Sequence, residues 1–332
     1  MRPLGDKLVL VTGAAGFIGS HVAEELARRG ARVRALVRYN SRGSAGWLDE
    51  MDALLRPRID VRAGDVRDAQ SVRSAMRGCD AVLHLAALIG IPYSYEAPEA
   101  YVAVNVGGTL NVLEAARELG VARVVHTSTS EVYGTALSVP IREDHPLQAQ
   151  SPYAASKIAA DKLAESYHRS FGLPVVTLRP FNTFGPRQSE RAVVPVIAAQ
   201  IVAGARDIRL GAVEPTRDMN YVANTVDAFI AALLAPESCN GAVFNAGSGH
   251  EVSIGDLAGM LAERAGTEIK IVLDERRLRP RLSEVERLVA DSTAARERLG
   301  WKPRVSLEEG LDRVLAWMRE RSAPPRPGDY VV

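Results

Sequence analysis

Near its start the chain reads Thr12-Gly13-Ala14-Ala15-Gly16-Phe17-Ile18-Gly19, and no other run constrains the fold as tightly. The apolar stretch before it, Lys7 to Val11, carries β-branched Val9 and Val11 and predicts a buried strand. After it, Ile18, Val22 and Leu26 recur at helical spacing, with Glu24, Glu25 and Arg28 on another face, which predicts a helix from Ile18 to Arg29. Val33 to Val37 predicts a second strand. Gly13, Gly16 and Gly19 therefore stand between a strand and a helix. The first N–H groups of a helix lack intrahelical acceptors and carry the positive end of its dipole, so a pyrophosphate can rest there. With a strand before, a helix after and a second strand following, the run reads as a dinucleotide-binding unit rather than a tight turn.

The second strand ends near Val37, where many such sites place an acidic residue that binds ribose hydroxyls. Here Val37 is followed by Arg38-Tyr39-Asn40-Ser41-Arg42, and the first carboxylate is Asp49. Arg38, Asn40 and Ser41 suit a 2′-phosphate. The expected cofactor is NADP or NAD, leaning to NADP.

Strand and helix alternate through the next part of the chain. Strands are predicted at Ile59 to Arg62, Ala81 to Leu85, Ala122 to His126 and Pro174 to Arg179, with helices at Tyr101 to Leu119 and Ala154 to Phe171. That alternation predicts an α/β fold with a doubly wound parallel sheet. Beyond Pro180 it becomes irregular. Helices are expected at 192–202, 225–234, 253–265, 291–299 and 306–321, a short strand at 208–210, and a strand at 242–245 that returns to the main sheet. The expected division is a Rossmann domain of residues 1–179 plus about 220–246, a smaller mixed α/β lobe of 180–219 plus 247–322, and a Pro-rich tail at 323–332. Lys plus Arg number 41 against 40 Asp plus Glu, so no bulk charge points to nucleic acid. No apolar run approaches a membrane span, and Met1 to Leu10 has no signal-peptide layout, which leaves the cytoplasm as the default. Cys79 and Cys239 are too few for a disulfide framework, and the six His residues show no metal-ligand spacing, so no metal is expected.

The stretch with the most chemistry runs from Thr127 to Lys157. Its first part is Thr127-Ser128-Thr129-Ser130-Glu131-Val132-Tyr133-Gly134, and its second is Tyr153-Ala154-Ala155-Ser156-Lys157. Tyr153 and Lys157 are four apart, which on a helix puts phenol and ammonium on one face. A neighbouring ammonium is expected to lower the phenol's pKa. Thr129 adds a hydroxyl and Glu131 a carboxylate at the end of a parallel strand, where ligands sit in such sheets.

The glycine motif, Gly64-Asp65, Leu85-Ala86-Ala87, Asn105, Thr129, Tyr153/Lys157 and Arg179-Pro180 occur in an order and spacing that resembles the extended short-chain dehydrogenase/reductase superfamily, in its nucleotide-sugar branch. The resemblance covers nearly the whole chain. It implies that a tightly bound, recycled nicotinamide dinucleotide is held by Gly13, Ala15, Gly16, Phe17, Ile18, Gly19, Arg38, Asn40, Ser41, Asp65, Val66, Leu85, Ala86, Ala87, Asn105, Tyr153, Lys157 and Pro180. It implies a nucleotide-diphosphate sugar as substrate, contacted by Asn182, Arg187, Val194, Arg217 and Arg279, and a homodimer formed through the two long helices.

In this superfamily Tyr153 takes the proton of the sugar 4-hydroxyl, Lys157 supports the phenolate, and Thr129 bonds the reacting oxygen. Ser130-Glu131 bears on the reaction type. The dTDP-glucose 4,6-dehydratases carry Asp-Glu at these places. Thr129-Ser130-Glu131 resembles the GDP-mannose 4,6-dehydratases and the legionaminic-acid type acting on nucleotide-linked GlcNAc. The latter share runs like Tyr39-Asn40-Ser41, Gly46-Trp47-Leu48, Arg179-Pro180-Phe181-Asn182-Thr183 and Pro215-Thr216-Arg217-Asp218. Met219 and Asn224 depart from that pattern, which has an aromatic and an Asp there. The expected activity is a 4,6-dehydratase in which Glu131 removes the C5 proton and helps water leave C6. The alternatives are a nucleotide-sugar 4-epimerase, a nucleotide-glucuronate decarboxylase and, more distantly, a non-catalytic NADP-binding sensor.

Overall fold

Seven parallel strands form one sheet, in the spatial order 243–246, 175–180, 123–127, 81–84, 8–12, 32–38 and 59–64. In this computed structural model, which describes residues 4–5 and 7–321, they are β1 Leu8–Thr12, β2 Arg32–Arg38, β3 Ile59–Gly64, β4 Ala81–His84, β5 Arg123–Thr127, β6 Val175–Pro180 and β7 Val243–Ala246. The tail expected at 323–332 lies outside the described residues. Buried strands of a parallel sheet read as continuous apolar runs because both faces are covered. β4 and β6 are buried throughout. Successive residues serve opposite faces. Val9 and Val11 join the core that holds Val22 and Leu26, whereas Leu10 joins the core that holds Val112 and Leu113. β3 is the edge strand, and it carries Asp60 and Arg62 outward, charges that oppose pairing with another chain.

Four helices position the site: α1 Phe17–Arg28, α2 Ala69–Met76, α3 Gly108–Leu119 and α4 Pro152–Phe171. The chain runs outward through β1, β2 and β3, then returns to β4 on the other side of β1. The crevice between β1 and β4 is therefore the topological switch point at which such sheets bind ligands. The long helix expected from Tyr101 to Leu119 is interrupted. Pro98–Tyr101 is one α-turn, Val102–Gly107 a wider π-turn, and only Gly108–Leu119 is regular. Asn105 lies within the π-turn, and its side chain bonds the backbone of Leu88 (Leu88 N at 2.8 Å, Leu88 O at 2.9 Å).

Beyond β6 lie the helices Val193–Val202, Val222–Leu233, Ile254–Ala265 and Leu307–Glu320. Ser253 and Ser306 cap the last two through Oγ. The helix expected at 291–299 is reduced mainly to one wide turn, Ala295–Leu299. A small sheet of Glu251–Ser253, Thr216–Asp218 and Arg287–Leu288 was not apparent from the sequence, because strands of two or three residues carry no periodicity. The two departures at 219 and 224 have structural roles. Met219 is buried in the main core. Asn224 donates to Asn220 Oδ1 and Val305 O, and its Oδ1 accepts from Arg304 N and Val305 N, so an aspartate would present a second acceptor to two carbonyls. Among the described residues no helix is long and apolar enough to cross a membrane, and no cluster of three His, Cys, Asp or Glu could hold a metal.

Candidate active site

The glycine turn joins β1 to α1 by backbone contact. A Cβ on Gly19 would lie 2.2 Å from Gly13 O, and one on Gly13 would lie 2.8 Å from Ala86 N. Thr12 Oγ1 accepts from Leu85 N and Ala86 N, each at 3.1 Å, which draws β1 and β4 together at their carboxyl ends. Gly16 caps α1 with no side-chain hydrogen bond and no acidic residue in the first turn. The helix end is thus left to an anion, with Ala15, Phe17 and Ile18 around it, and the cradle fits a dinucleotide pyrophosphate. Behind it, Trp47 N donates to Ala15 O at 3.1 Å, so the 46–50 turn braces the glycine run.

The segment after β2 gives no support to the expected lean toward NADP. Asn40 spends its whole amide on its own loop, with Nδ2 donating to Arg38 O and Ser44 O and Oδ1 accepting from Arg42 N and Ser44 N. Ser41 is exposed. Asp65 is paired with Arg67 at 2.6 Å, and that bond lowers its pKa, with the Arg38 charge adding to the effect. Val66 is buried against α3, where a Cβ on Gly108 would meet it at 2.9 Å. Pro180 is buried at the end of β6.

Thr129 caps a single 3₁₀ turn, Ser130–Tyr133, and its Oγ1 accepts from Glu131 N at 3.2 Å. This turn, rather than the strand itself, presents Glu131. Ser130 and Glu131 are 2% and 9% exposed. Ser151 caps α4 through Ala154 N, which places Tyr153 in the first turn and Lys157 one turn on. Tyr153 packs with Ile91 and edge-on to Tyr101, the ring centroids 6.2 Å apart. Asn105 Nδ2 donates to Ser156 Oγ at 2.9 Å, and Ser156 Oγ donates to Tyr153 O, so Asn105 links the loop after β4 to α4.

The electrostatics correct one expectation. The Tyr153 phenol is held well above its ordinary pKa, first by burial; the Thr129 hydroxyl opposes this by hydrogen bonding and the Glu131 charge adds to it. Lys157 does not lower the phenol in this arrangement, because its Nζ donates to Thr127 O at 2.6 Å. Burial brings Lys157 itself down to about 8, opposed by Asp161. The sign for stability follows. Below about 8 the folded state keeps a buried ammonium that the unfolded chain solvates, so Lys157 costs stability there, and the cost fades as pH rises toward the ordinary 10.5. Lys157→Met is therefore expected to stabilise the fold near neutral pH by on the order of 1–2 kcal/mol, seen as a higher melting temperature, while abolishing activity. Thermal unfolding at pH 7 and again near pH 10 checks it, since the gain should shrink at the higher pH.

Of the residues expected at a substrate, Arg217 and Arg279 converge. Arg217 is 5% exposed and pairs with Glu284 Oε1 at 3.0 Å; Arg279 reaches the same oxygen at 3.4 Å. Burial pulls the Arg217 guanidinium down, and the largest opposing charge is that of Glu131. The buried Oδ1 of Asn182 finds no partner among the described residues, and Thr127 Oγ1 is likewise unpartnered. Two residues are committed elsewhere. Arg187 pairs with Glu24 of α1 at 2.7 Å and holds a left-handed φ of 70°, and Val194 is fully buried in the main core. The polar network beneath Lys157, made of His84, His126, Asp161 and Arg179, was not singled out from the sequence as functional; Asp161 stands four residues after Lys157, the spacing that marks one helix face. A cavity of about 620 Å³ lies along α4, lined by Glu143, His145, Asp161, His168 and Arg179 and not by Tyr153. The chemistry converges elsewhere, so that cavity is not the candidate site.

A family model described as GDP-mannose 4,6 dehydratase matches residues 10–314. The chain is 36% identical to a UDP-glucose 4-epimerase of Mycolicibacterium smegmatis, over 94% of this chain and 99% of that one. It is also 36% identical to a dTDP-glucose 4,6-dehydratase of Streptomyces griseus, over 93% of each. Among solved structures, a dTDP-glucose 4,6-dehydratase of Streptomyces venezuelae with NAD bound superposes with a TM-score of 0.84 at 33% identity, covering 94% of this chain and 97% of that one.

Proposed function

The chain belongs to the extended short-chain dehydrogenase/reductase family of nucleotide-sugar-modifying epimerases and dehydratases, and we propose that it is an NAD-dependent 4,6-dehydratase that makes a 4-keto-6-deoxy sugar. NAD, the nucleotide bound in the Streptomyces venezuelae enzyme, would lie on the glycine turn with its pyrophosphate at the α1 N-terminus. When bound it accepts hydride from C4 and returns it at C6, which makes the reaction redox-neutral. The sugar nucleotide would occupy the lobe of residues 180–219 and 247–322, its diphosphate meeting Arg217 and Arg279.

Within that frame the side chains divide the proton work. Tyr153 takes the proton of the C4 hydroxyl, and Thr129 hydrogen-bonds the same oxygen. Lys157, one turn further along α4, is held at Thr127 O and would meet the nicotinamide ribose of the bound cofactor. The 4-keto group acidifies C5–H; Glu131 removes that proton and delivers it to the departing C6 hydroxyl. The proton taken from the C4 hydroxyl balances the one C5 regains.

The observation that carries this reading is Glu131, a buried carboxylate whose charge acts on both the Tyr153 phenol and the Arg217 guanidinium. Dehydration needs a second base there and 4-epimerisation does not. By likeness alone 4-epimerisation is the better supported of the two, through the full-length match to the mycobacterial 4-epimerase. The runs shared with the legionaminic-acid type make a nucleotide-linked GlcNAc the first substrate to try. We also propose a homodimer, with α3 and α4 as the pairing helices; Leu110 and Phe171 are exposed on or beside them.

Incubation with UDP-, dTDP- and GDP-linked hexoses, with nucleotide-linked GlcNAc and with nucleotide-linked glucuronate, read by mass spectrometry, tests the reading. The expected product has lost one water with no net change in cofactor oxidation state. An isomer of unchanged mass means epimerisation, and loss of carbon dioxide means decarboxylation. No turnover with any of them would leave the sensor.

A further inference from the structure

β5, the turn that follows it and α4 carry the groups proposed to move protons, and one buried carboxylate joins strand to helix. Asp161 lies one helical turn beyond Lys157 and is 5% exposed. Its Oδ1 accepts from His126 Nε2 at 3.0 Å. Its Oδ2 accepts from Ser128 Oγ at 2.7 Å and from Arg179 Nε and Nη2 at 3.2 and 3.0 Å. His126 and Ser128 flank Thr127, whose carbonyl holds Lys157 Nζ, and Thr129 follows directly. A single carboxylate thus grips β5 on both sides of the acceptor of Lys157, while its own helix carries Lys157 and Tyr153.

Resting on the reading above, we infer that Asp161 is the positioning residue of this site: it ties the end of β5 to α4, and so sets Lys157 against Thr127 and Tyr153 against Thr129. Four hydrogen bonds from three residues, two of them from the end of β5 and two from Arg179 of β6, fix the strand end against the helix. Shifts of about an ångström in such a site typically cost a hundredfold in rate. The charges that face Asp161 are His126 from β5, Arg179 from β6 and Lys157 from its own helix. Tyr133 and Glu143 stand beyond Arg179, His84 on β4 lies 6.1 Å from His126 ring to ring, and Tyr153 and Glu131 lie toward the sugar side. Burial lowers His126, which favours its neutral form. Removing the carboxylate therefore leaves two cations, Lys157 and Arg179, without their shared anion, and Lys157 must release its proton more readily.

The test compares Asp161→Asn and Asp161→Glu with the parent. The chain has five lysines, so labelling at the lysine ε-carbon resolves Lys157 by NMR, with Lys157→Arg giving the assignment. In Asp161→Asn the Lys157 titration is expected to move down by about one pH unit or more. Its kcat is expected to fall by about tenfold to a hundredfold, with the alkaline limb displaced to lower pH and KM within about threefold. Asp161→Glu, which keeps the charge, should recover most of kcat and the parental alkaline limb. An unmoved Lys157 titration in Asp161→Asn, or an Asp161→Glu variant as impaired as Asp161→Asn, overturns the assignment. Where Asp161→Asn does not fold, Ser128→Ala removes one of the four contacts and is expected to lower kcat about fivefold at an unchanged melting temperature; parental kcat there overturns it. The NMR titration needs no substrate. A parent that turns over no nucleotide-sugar defeats the functional reading, and the Lys157 titration still judges the tether.

Discussion

Tyr153→Phe is expected to lower kcat about a thousandfold or more for any reaction that begins by oxidising C4. The phenol is the one group placed to take the C4 hydroxyl proton. Thr129 beside it is a hydroxyl too weakly acidic to replace it, and the Lys157 ammonium is turned to the Thr127 carbonyl. The substitution removes one oxygen and leaves the ring where it is, packed with Ile91 and edge-on to Tyr101. Stability should therefore change by no more than about 1 kcal/mol, the net worth of one hydrogen bond. Burial holds the phenol neutral, and near pH 7 it is neutral in the unfolded chain as well, so its ionisation adds nothing to that difference. The pairing of a large loss in kcat with a near-constant melting temperature distinguishes a chemical role from a packing one. Turnover within tenfold of the parent would remove Tyr153 from the mechanism, whichever of dehydration and epimerisation the enzyme performs.

What the sequence disclosed depended on how local the signal was. The glycine turn was legible because its three glycines are demanded by backbone contacts within one strand-turn-helix unit: Gly19 on Gly13, and Gly13 on the end of β4. The sheet was legible because its central strands, covered on both faces, are apolar runs followed by helices of clear period, whereas the helix Ala69–Met76 was missed and β2 passes to β3 with only short 3₁₀ turns between. Boundaries moved by up to three residues, as hydrogen bonding decides them rather than hydropathy. The π-turn at Val102–Gly107 was hidden, since hydropathy does not tell a π-turn from an α-turn and its Asn105 bonds Leu88, seventeen positions away in sequence. Arg187 shows the same limit. Its residue type suits a phosphate, yet the fold delivers it to Glu24 on α1. Arg217 and Arg279 do converge, but on Glu284, a partner that no spacing rule links to either. The pKa of Tyr153 was misjudged for a related reason. Helical spacing says that Tyr153 and Lys157 share a face, but burial and the carbonyl of Thr127 decide where each proton sits.

Glu131→Gln should separate the two reactions that share Tyr153. The amide keeps the size and the 3₁₀ turn, whose geometry depends on Thr129 capping the backbone of residue 131, so folding and the Thr129–Tyr153 contact should persist. It removes a carboxylate that disfavours the Tyr153 phenolate and that the Arg217 guanidinium feels. Two opposite consequences follow. Loss of the negative charge beside Tyr153 makes the phenol easier to ionise, so oxidation at C4 should continue, and its dependence on pH should move toward lower pH. Loss of a base for C5–H should lower dehydration by about a hundredfold to ten-thousandfold, because the amide neither accepts that proton nor returns it to the leaving hydroxyl. In rapid-mixing experiments the variant should therefore accumulate the near-ultraviolet absorbance of reduced nicotinamide on adding the sugar nucleotide, whereas the parent shows it only transiently. The 4-keto sugar, trapped with a deuterated borohydride, should retain its C6 oxygen. Dehydration at the parental rate would exclude Glu131 as the base, and 4-epimerisation at the parental rate, with no water lost by the parent either, would assign the enzyme to the epimerases.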